Sequence, residues 1–131
     1  MLKPNFKELL SGLKLDLSKN QFEKISKATI KYQKKNNIDI IMVTLSDQGV
    51  LTSQNGSYTH IPAIPREIKD VSGAGDTVIS VAALGILAGL DPGQVAALSN
   101  LAGGQVCERA GVVPIDSDRL LDECIQHFKS L

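Results

Sequence analysis

The sequence predicts an α/β fold in which a central, largely parallel sheet lies between helices and carries a β-hairpin. Three stretches point to it. Asp39 to Leu45, DIIMVTL, is short, continuous and β-branched, the pattern of a strand buried on both faces in a sheet covered by helices. GVLTS and SYTHI then flank QNGS, and Asn55-Gly56 is the pair that the type I′ turn of a two-residue hairpin favours. Finally DVSGAGDTVISVAALGILAGL, residues 70–90, sets a glycine turn ahead of a run of small apolar residues that reads as a buried core helix.

The remaining elements follow along the chain. SKNQ, Ser18 to Gln21, has the form of a capping box and predicts that a helix begins there. Phe22, Ile25, Thr29 and Tyr32 recur at helical spacing as its inner face, while Lys24, Lys27, Lys31, Lys34 and Lys35 fall mostly outside it and read as a solvated surface. On the hairpin, His60 alternates with Tyr58 and is expected at the edge of the core, not in catalysis. PAIPREIKD, punctuated by Pro62 and Pro65, returns the chain to the glycine turn. GLDPGQ ends one helix with Gly89 at its C-terminal cap and opens the next with Asp91 as N-cap and Pro92 at the first helical position. A last helix starts near Asp116 or Ser117, with Leu120, Leu121, Cys124 and Phe128 expected on its inner face.

Composition narrows the function classes. With 131 residues, 43% of them hydrophobic, the chain is expected to form one domain over residues 1–131 around a single core. Lys plus Arg and Asp plus Glu both number 14, so no global field draws the protein to nucleic acid or to an anionic membrane, and any phosphate binding must be local. Cys107 and Cys124 are too few and too far apart for a zinc site or a disulfide scaffold, and they read as core thiols of a cytoplasmic protein. MLKPNFKELL lacks the features of a secretory signal, and the apolar run from Val78 to Leu90 is shorter than the roughly 20 residues that span a bilayer.

The chemistry concentrates in SGAGDT. Glycines at 73 and 75 let a ligand approach the main chain without meeting a Cβ. The helix that follows brings unpaired first-turn amides and the positive end of its dipole, a setting for an anion or for developing negative charge. Asp76 beside them repels a resting phosphate. Its place makes sense if it takes the proton of an attacking hydroxyl while the amides hold a phosphoryl group in transfer. The alternative is that Asp76 only complements the helix dipole, and this fragment alone leaves both readings open. Asp70 and Ser72 likewise either offer oxygens to a cation or stabilise the turn. No Walker loop and no dinucleotide fingerprint is present.

DVSGAGDT resembles the signature of the ribokinase-like (PfkB family) carbohydrate kinases, Asp-Thr-x-Gly-Ala-Gly-Asp, and other motifs agree in order and spacing over nearly the whole chain. NFKE, Asn5 to Glu8, is similar to the family's Asn-x-x-Glu element. TLSDQG, Thr44 to Gly49, resembles its Thr-x-Gly-x-x-Gly turn, with Ser46 in place of the first glycine. SNLAGGQVCERAG resembles the helix that carries an asparagine near the adenosine. Within the family, LKPNFKEL and GAGDTVISVAALGILAGL look like the kinase domain of the bifunctional heptose-phosphate kinases and adenylyltransferases.

The resemblance implies a ribokinase-like fold and transfer of the ATP γ-phosphoryl to a sugar or sugar phosphate. It makes Asp76 the base and Gly73, Ala74 and Gly75 the anion hole. Thr44, Ser46 and Gly49 would meet the ATP phosphates, and Asn100 the nucleoside. Asn5 and Glu8 would act on magnesium through water. Asp70 and Ser72, with carbonyls around Val106 to Gly111, would hold a monovalent cation such as potassium, although Ile115 stands where some members present a serine. Family members are longer, and their first half supplies the first strands, most sugar contacts and a lid. With no strand evident before Pro4, the chain is expected to be the C-terminal half of such a kinase, inactive alone, its open sheet edge inviting a homo-oligomer or another pairing. The competing class is a non-catalytic nucleotide-binding or assembly module that has kept the scaffold.

Overall fold

A computed structural model describes residues 1–129. The buried strand, β1 (Ile40–Thr44), runs through the core with Ile41, Met42 and Val43 at most 1% exposed. It pairs antiparallel with β2 (Val50–Gln54), which pairs antiparallel with β3 (Ser57–Ile61). Asn55 and Gly56 both take the positive φ that a type I′ turn needs, 51° and 81°.

The sheet within this chain is therefore mainly antiparallel. Parallel pairing is confined to residues 2–5, which lie beside β1: the Met42 amide donates to the Leu2 carbonyl at 2.9 Å and the Thr44 amide to the Pro4 carbonyl at 3.2 Å. These are isolated bridges, so the expectation of no strand before Pro4 holds, but the chain there already lies against β1, which the sequence did not suggest. Four residues are too few for alternation to show, and only the main-chain bonds to β1 define the segment.

Side-chain alternation along β1 and β2 divides the core in two. Ile41, Val43 and Leu51 point to α1 (Phe6–Leu13) and α2 (Phe22–Asn36), where they meet Leu9 and Ile25. Met42 and Val50 point to α3 (Ala74–Leu87) and α4 (Pro92–Cys107), where they meet Val78, Ala82, Val95 and Ala96. Outside α4 lies α5 (Ser117–Lys129), held by Leu120 against Val81, Leu101 and Ala102.

Local signals explain most boundaries. Gly89, at φ 81°, ends α3, and the Leu90 amide reaches back to the Gly85 carbonyl at 3.0 Å. Asp91 and Gln94 form a reciprocal capping box with Pro92 in the first turn of α4. SKNQ completes only half of its box. The Gln21 side chain accepts from the Ser18 amide at 2.8 Å, but the Gln21 amide closes a turn onto the Ser18 carbonyl, and α2 begins only at Phe22. All five lysines named above are exposed, while Ile25 and Thr29 are wholly buried. His60 stacks on Phe22 with ring centroids 3.8 Å apart, at the rim of the core.

Two apolar faces are more open than the sequence suggests. On α3, Leu84 is 67% and Leu87 83% exposed. The helix is apolar all round, but α4 and the sheet cover one side of it only. On α5, Leu120 is buried and Cys124 half-buried, whereas Leu121 and Phe128 are exposed, because α4 covers only a narrow stripe of this helix.

A buried polar cluster ties α2 to the sheet. The Gln33 amide donates to the carbonyls of Ile38, Asp39 and Ser53, and its oxygen accepts from the Ser53 hydroxyl at 2.7 Å. Gln33→Leu would leave several buried groups unpaired at about 1–3 kcal/mol each, so a loss of about 3 kcal/mol is expected in chemical denaturation. An unchanged midpoint would mean that water replaces the side chain.

Candidate functional site

Three parts of the chain converge where the two parallel segments end. Asn5 and Thr44 are bridge partners at the carboxyl ends of residues 2–5 and β1, the end of an α/β sheet at which ligands bind. The glycine turn joins them through Lys3, whose Nζ lies 3.6 Å from where a Cβ on Gly75 would stand.

The turn is built by Gly73 at φ 75°, which allows the Ala74 amide to bond the Val71 carbonyl at 3.2 Å. Ala74 thus spends its amide on the turn itself. Gly73, Gly75 and Asp76 keep theirs without a main-chain acceptor among the described residues. Asp76 is exposed and in the first turn of α3; its main-chain carbonyl accepts from the Ser80 hydroxyl, and its carboxylate makes no hydrogen bond or ion pair among the described residues. The turn is braced from both sides. A Cβ at Gly73 would come 2.9 Å from Val112, and one at Gly103 would come 2.7 Å from Val78, so α4 passes close under the start of α3.

Asn5 and Glu8 cap α1 reciprocally: the Asn5 oxygen accepts from the Glu8 amide, and Glu8 Oε2 accepts from the Asn5 amide, both at 2.8 Å. Glu8 is exposed, and its Oε1 makes no hydrogen bond among the described residues. No group of three or more His, Cys, Asp or Glu able to hold a metal occurs among the described residues. Such a donor set fits magnesium held through water better than an ion in a protein cage.

Thr44 ends β1, and Ser46 starts a short 3-10 turn, Ser46–Gln48, that closes when the Gly49 amide bonds the Ser46 carbonyl. Ser46 has φ 54°, the left-handed conformation that glycine takes without cost, so a side chain stands here at a penalty of about 1 kcal/mol. Gly49 lies against the main chain of residues 61–63, and Asn100 on α4 donates to the Pro62 carbonyl at 2.9 Å, so both hold the same strand exit.

Asp70 works as a latch. Its Oδ1 accepts from the amide and hydroxyl of Ser72, and its Oδ2 from the Gly111 amide at 2.8 Å. The Cys107 carbonyl is similarly occupied by the amides of Lys69 and Asp70. A monovalent cation entering there would compete with these amides for the same oxygens. Ile115 packs into the core beside α5.

The Ser72 hydroxyl, with the Ser72 and Gly111 amides, holds the Asp70 carboxyl down at about 2. A carboxyl depressed in the folded state contributes stability that is complete above its unfolded value, ~4, and is lost as pH falls through about 2. The stability gap between wild type and Asp70→Asn should therefore be flat above pH ~5 and narrow below pH ~4, as read by thermal melts. A gap independent of pH would rule the latch out as a charge-dependent contact.

The segment leading into the turn is anchored by Arg66, 8% exposed at its side chain, which bonds Glu108 at 2.8 Å and Glu123. A concavity of about 430 Å³ opens beside it, and one of about 190 Å³ lies at the hairpin; neither includes a residue of the glycine turn. Lys3 is the site residue that sequence reasoning missed. Its one available signal was its position two residues before Asn5, which places it on the parallel segment.

Comparison with solved structures assigns the fold. Phosphofructokinase-2 from Escherichia coli in complex with potassium superimposes with a TM-score of 0.84 at 19% identity, over 95% of this chain and 40% of that one. Arabidopsis thaliana ribokinase complexed with ribose and ATP gives 0.82 at 24%, over 94% and 40%. The fold is ribokinase-like. The chain belongs to the pfkB family of carbohydrate kinases, whose model matches residues 1–118. Among curated relatives, the bifunctional protein HldE of Shewanella baltica (strain OS185) is 40% identical over 95 residues, which are 72% of this chain and 20% of that protein. The chain thus spans about a fifth of the length of this relative.

Proposed function

We propose that this chain is the nucleotide-binding and proton-accepting portion of an ATP-dependent sugar kinase that phosphorylates a heptose 7-phosphate at its anomeric hydroxyl, and that the chain alone transfers no phosphoryl group. One observation carries the reading. The unengaged Asp76 carboxylate shares its turn with three amides that lack main-chain acceptors among the described residues, and the Lys3 ammonium lies 3.6 Å from where a Cβ on Gly75 would stand. In the reaction the Asp76 carboxylate takes the hydroxyl proton, the freed oxygen forms a bond to the γ-phosphorus, and the bond to the bridging oxygen breaks to release ADP. The amides of Gly73, Gly75 and Asp76 receive the charge gathering on the phosphoryl oxygens, and Lys3 adds a positive charge from the sheet side. Thr44, Ser46 and Gly49 border the phosphates, and Asn100 borders the nucleoside. Magnesium, held through water by Glu8 and Asn5, would supply further neutralisation of the phosphates.

The acceptor is supported by the motif likeness to the heptose-phosphate kinases and by the similarity to HldE. Calorimetry on the chain with ATP and magnesium, with and without heptose 7-phosphate, tests the reading. Weak ATP binding indifferent to the sugar, with no ADP formed, is expected. Absence of any ATP binding would reject the nucleotide site, and sugar-dependent ADP release would overturn the claim that the chain is inactive alone. The same calorimetry with NAD addresses a dinucleotide domain, which the missing fingerprint disfavours.

A further inference from the structure

We infer that Arg66 is a positioning residue for the phosphoryl transfer proposed above, clamped by Glu108 and Glu123 so that α5 helps fix where the glycine turn and Asp76 stand. The inference rests on that kinase reading. Residues 62–72, the lead-in to the turn, form neither helix nor strand. Burial does not anchor them, since Ile64 is 40%, Ile68 55% and Val71 69% exposed. Between the Pro62 carbonyl, held by Asn100, and the Lys69 amide, Arg66 makes the hydrogen bonds that tie this stretch to the rest of the molecule among the described residues. Its guanidinium lies on α4 where Gly104 leaves room: a Cβ there would come 2.7 Å from the Arg66 Nε.

Four side chains close the clamp into a ring. Arg66 bonds Glu108 Oε1 at 2.8 Å and Glu123 Oε1 at 3.1 Å through one nitrogen, and Glu123 Oε2 through another. From α5, Arg119 bonds Glu108 Oε2 at 2.6 Å and Glu123 Oε1 at 3.0 Å, so every oxygen of the two carboxylates is engaged. Glu108 caps α4, and the carbonyl of its neighbour Cys107 accepts the amides of Lys69 and Asp70 at 2.9 and 3.2 Å. Asp70 in turn holds Ser72 and Gly111, and Gly73 starts the turn one residue later. A continuous chain of bonds thus runs from α5 to the glycine turn. Arg119 and Glu123 lie beyond residues 1–118, which match the family model, so half of the ring is drawn from outside the matched stretch. The planar fork of arginine reaches two carboxylates at fixed angles, which the single nitrogen of lysine does not reproduce. A shift of the lead-in by about 1 Å would carry Asp76 and the amides off the line of attack, and misplacements of that size cost up to about 100-fold in rate.

The experiment uses two variants and one control. In this chain, Arg66→Lys and Glu123→Gln are each expected to speed hydrogen exchange at the Lys69 and Asp70 amides on the order of 10-fold relative to the amides of β2, which report global opening. Glu123→Gln sits on α5 and keeps the size of the side chain, so it decides the matter where Arg66→Lys folds poorly. In an intact kinase that contains this chain, the same substitutions should lower kcat on the order of 10-fold with KM for ATP changed less than about threefold. Gln33→Leu lowers stability from the other side of the sheet, and it should leave both kcat and the relative exchange at Lys69 and Asp70 near wild type. Unchanged exchange at those two amides in both variants, or a fall in kcat that Gln33→Leu reproduces, would overturn the proposal. So would a kcat that stays at its wild-type value while the amides open. An intact kinase that transfers no phosphoryl group, in which exchange still responds to Glu123→Gln, would count against the kinase reading and leave the clamp standing.

Discussion

Asp76→Asn, made in an intact kinase that contains this chain, is expected to lower sugar phosphorylation by about 10³-fold with ATP affinity changed less than about threefold. Asparagine keeps the size of the side chain and removes its capacity to take a proton. The carboxylate makes no hydrogen bond or ion pair among the described residues, so its replacement breaks no structural bond. A residue that merely complemented the helix dipole would show a different result, a modest loss of stability and nearly normal turnover. Steady-state rates with calorimetric ATP binding separate the two, and near-normal turnover would falsify the assignment of Asp76 as base.

The second large effect concerns folding. Gly49→Ala is expected to cost about 4 kcal/mol or to prevent folding, a large share of the roughly 5–15 kcal/mol that holds a domain together. At φ 86° and ψ −134° Gly49 occupies a region that side chains avoid. A Cβ there would lie 2.0 Å from the Ile61 carbonyl oxygen and 2.6 Å from the Ala63 nitrogen, and main-chain atoms cannot rotate aside. Gly12→Ala is the control. It lies inside α1 with nothing within 4 Å of an added Cβ, so alanine should raise stability by up to about 1 kcal/mol. Urea titration of the two variants gives the comparison, and equal stability at Gly49 would mean that the 61–63 segment shifts to make room.

These contrasts also mark what the sequence could reveal. The strand, the I′ hairpin, the Gly89 cap and the Asp91 box were legible because each is a local rule obeyed by neighbouring residues. The candidate site was legible in part, because its motifs keep fixed spacing around the glycine turn. What stayed hidden depends on partners distant in sequence. Residues 2–5 form a parallel segment only because β1 offers main-chain bonds, and Lys3 meets Gly75 only because of that pairing. Gln33 looked like one more polar residue of α2, yet it fills a buried slot against Ser53, twenty positions away. The openness of α3 was hidden for the opposite reason: an apolar helix states what it would bury, not whether a neighbour is present to bury it.

The close crossing at Gly103 bears on how the turn behaves when charge arrives. With Val78 lodged where a side chain at position 103 would otherwise stand, any residue larger than glycine there would have to push the head of α3 away from α4. In the reaction proposed above, amides held this way would need little reorientation as a negative oxygen forms.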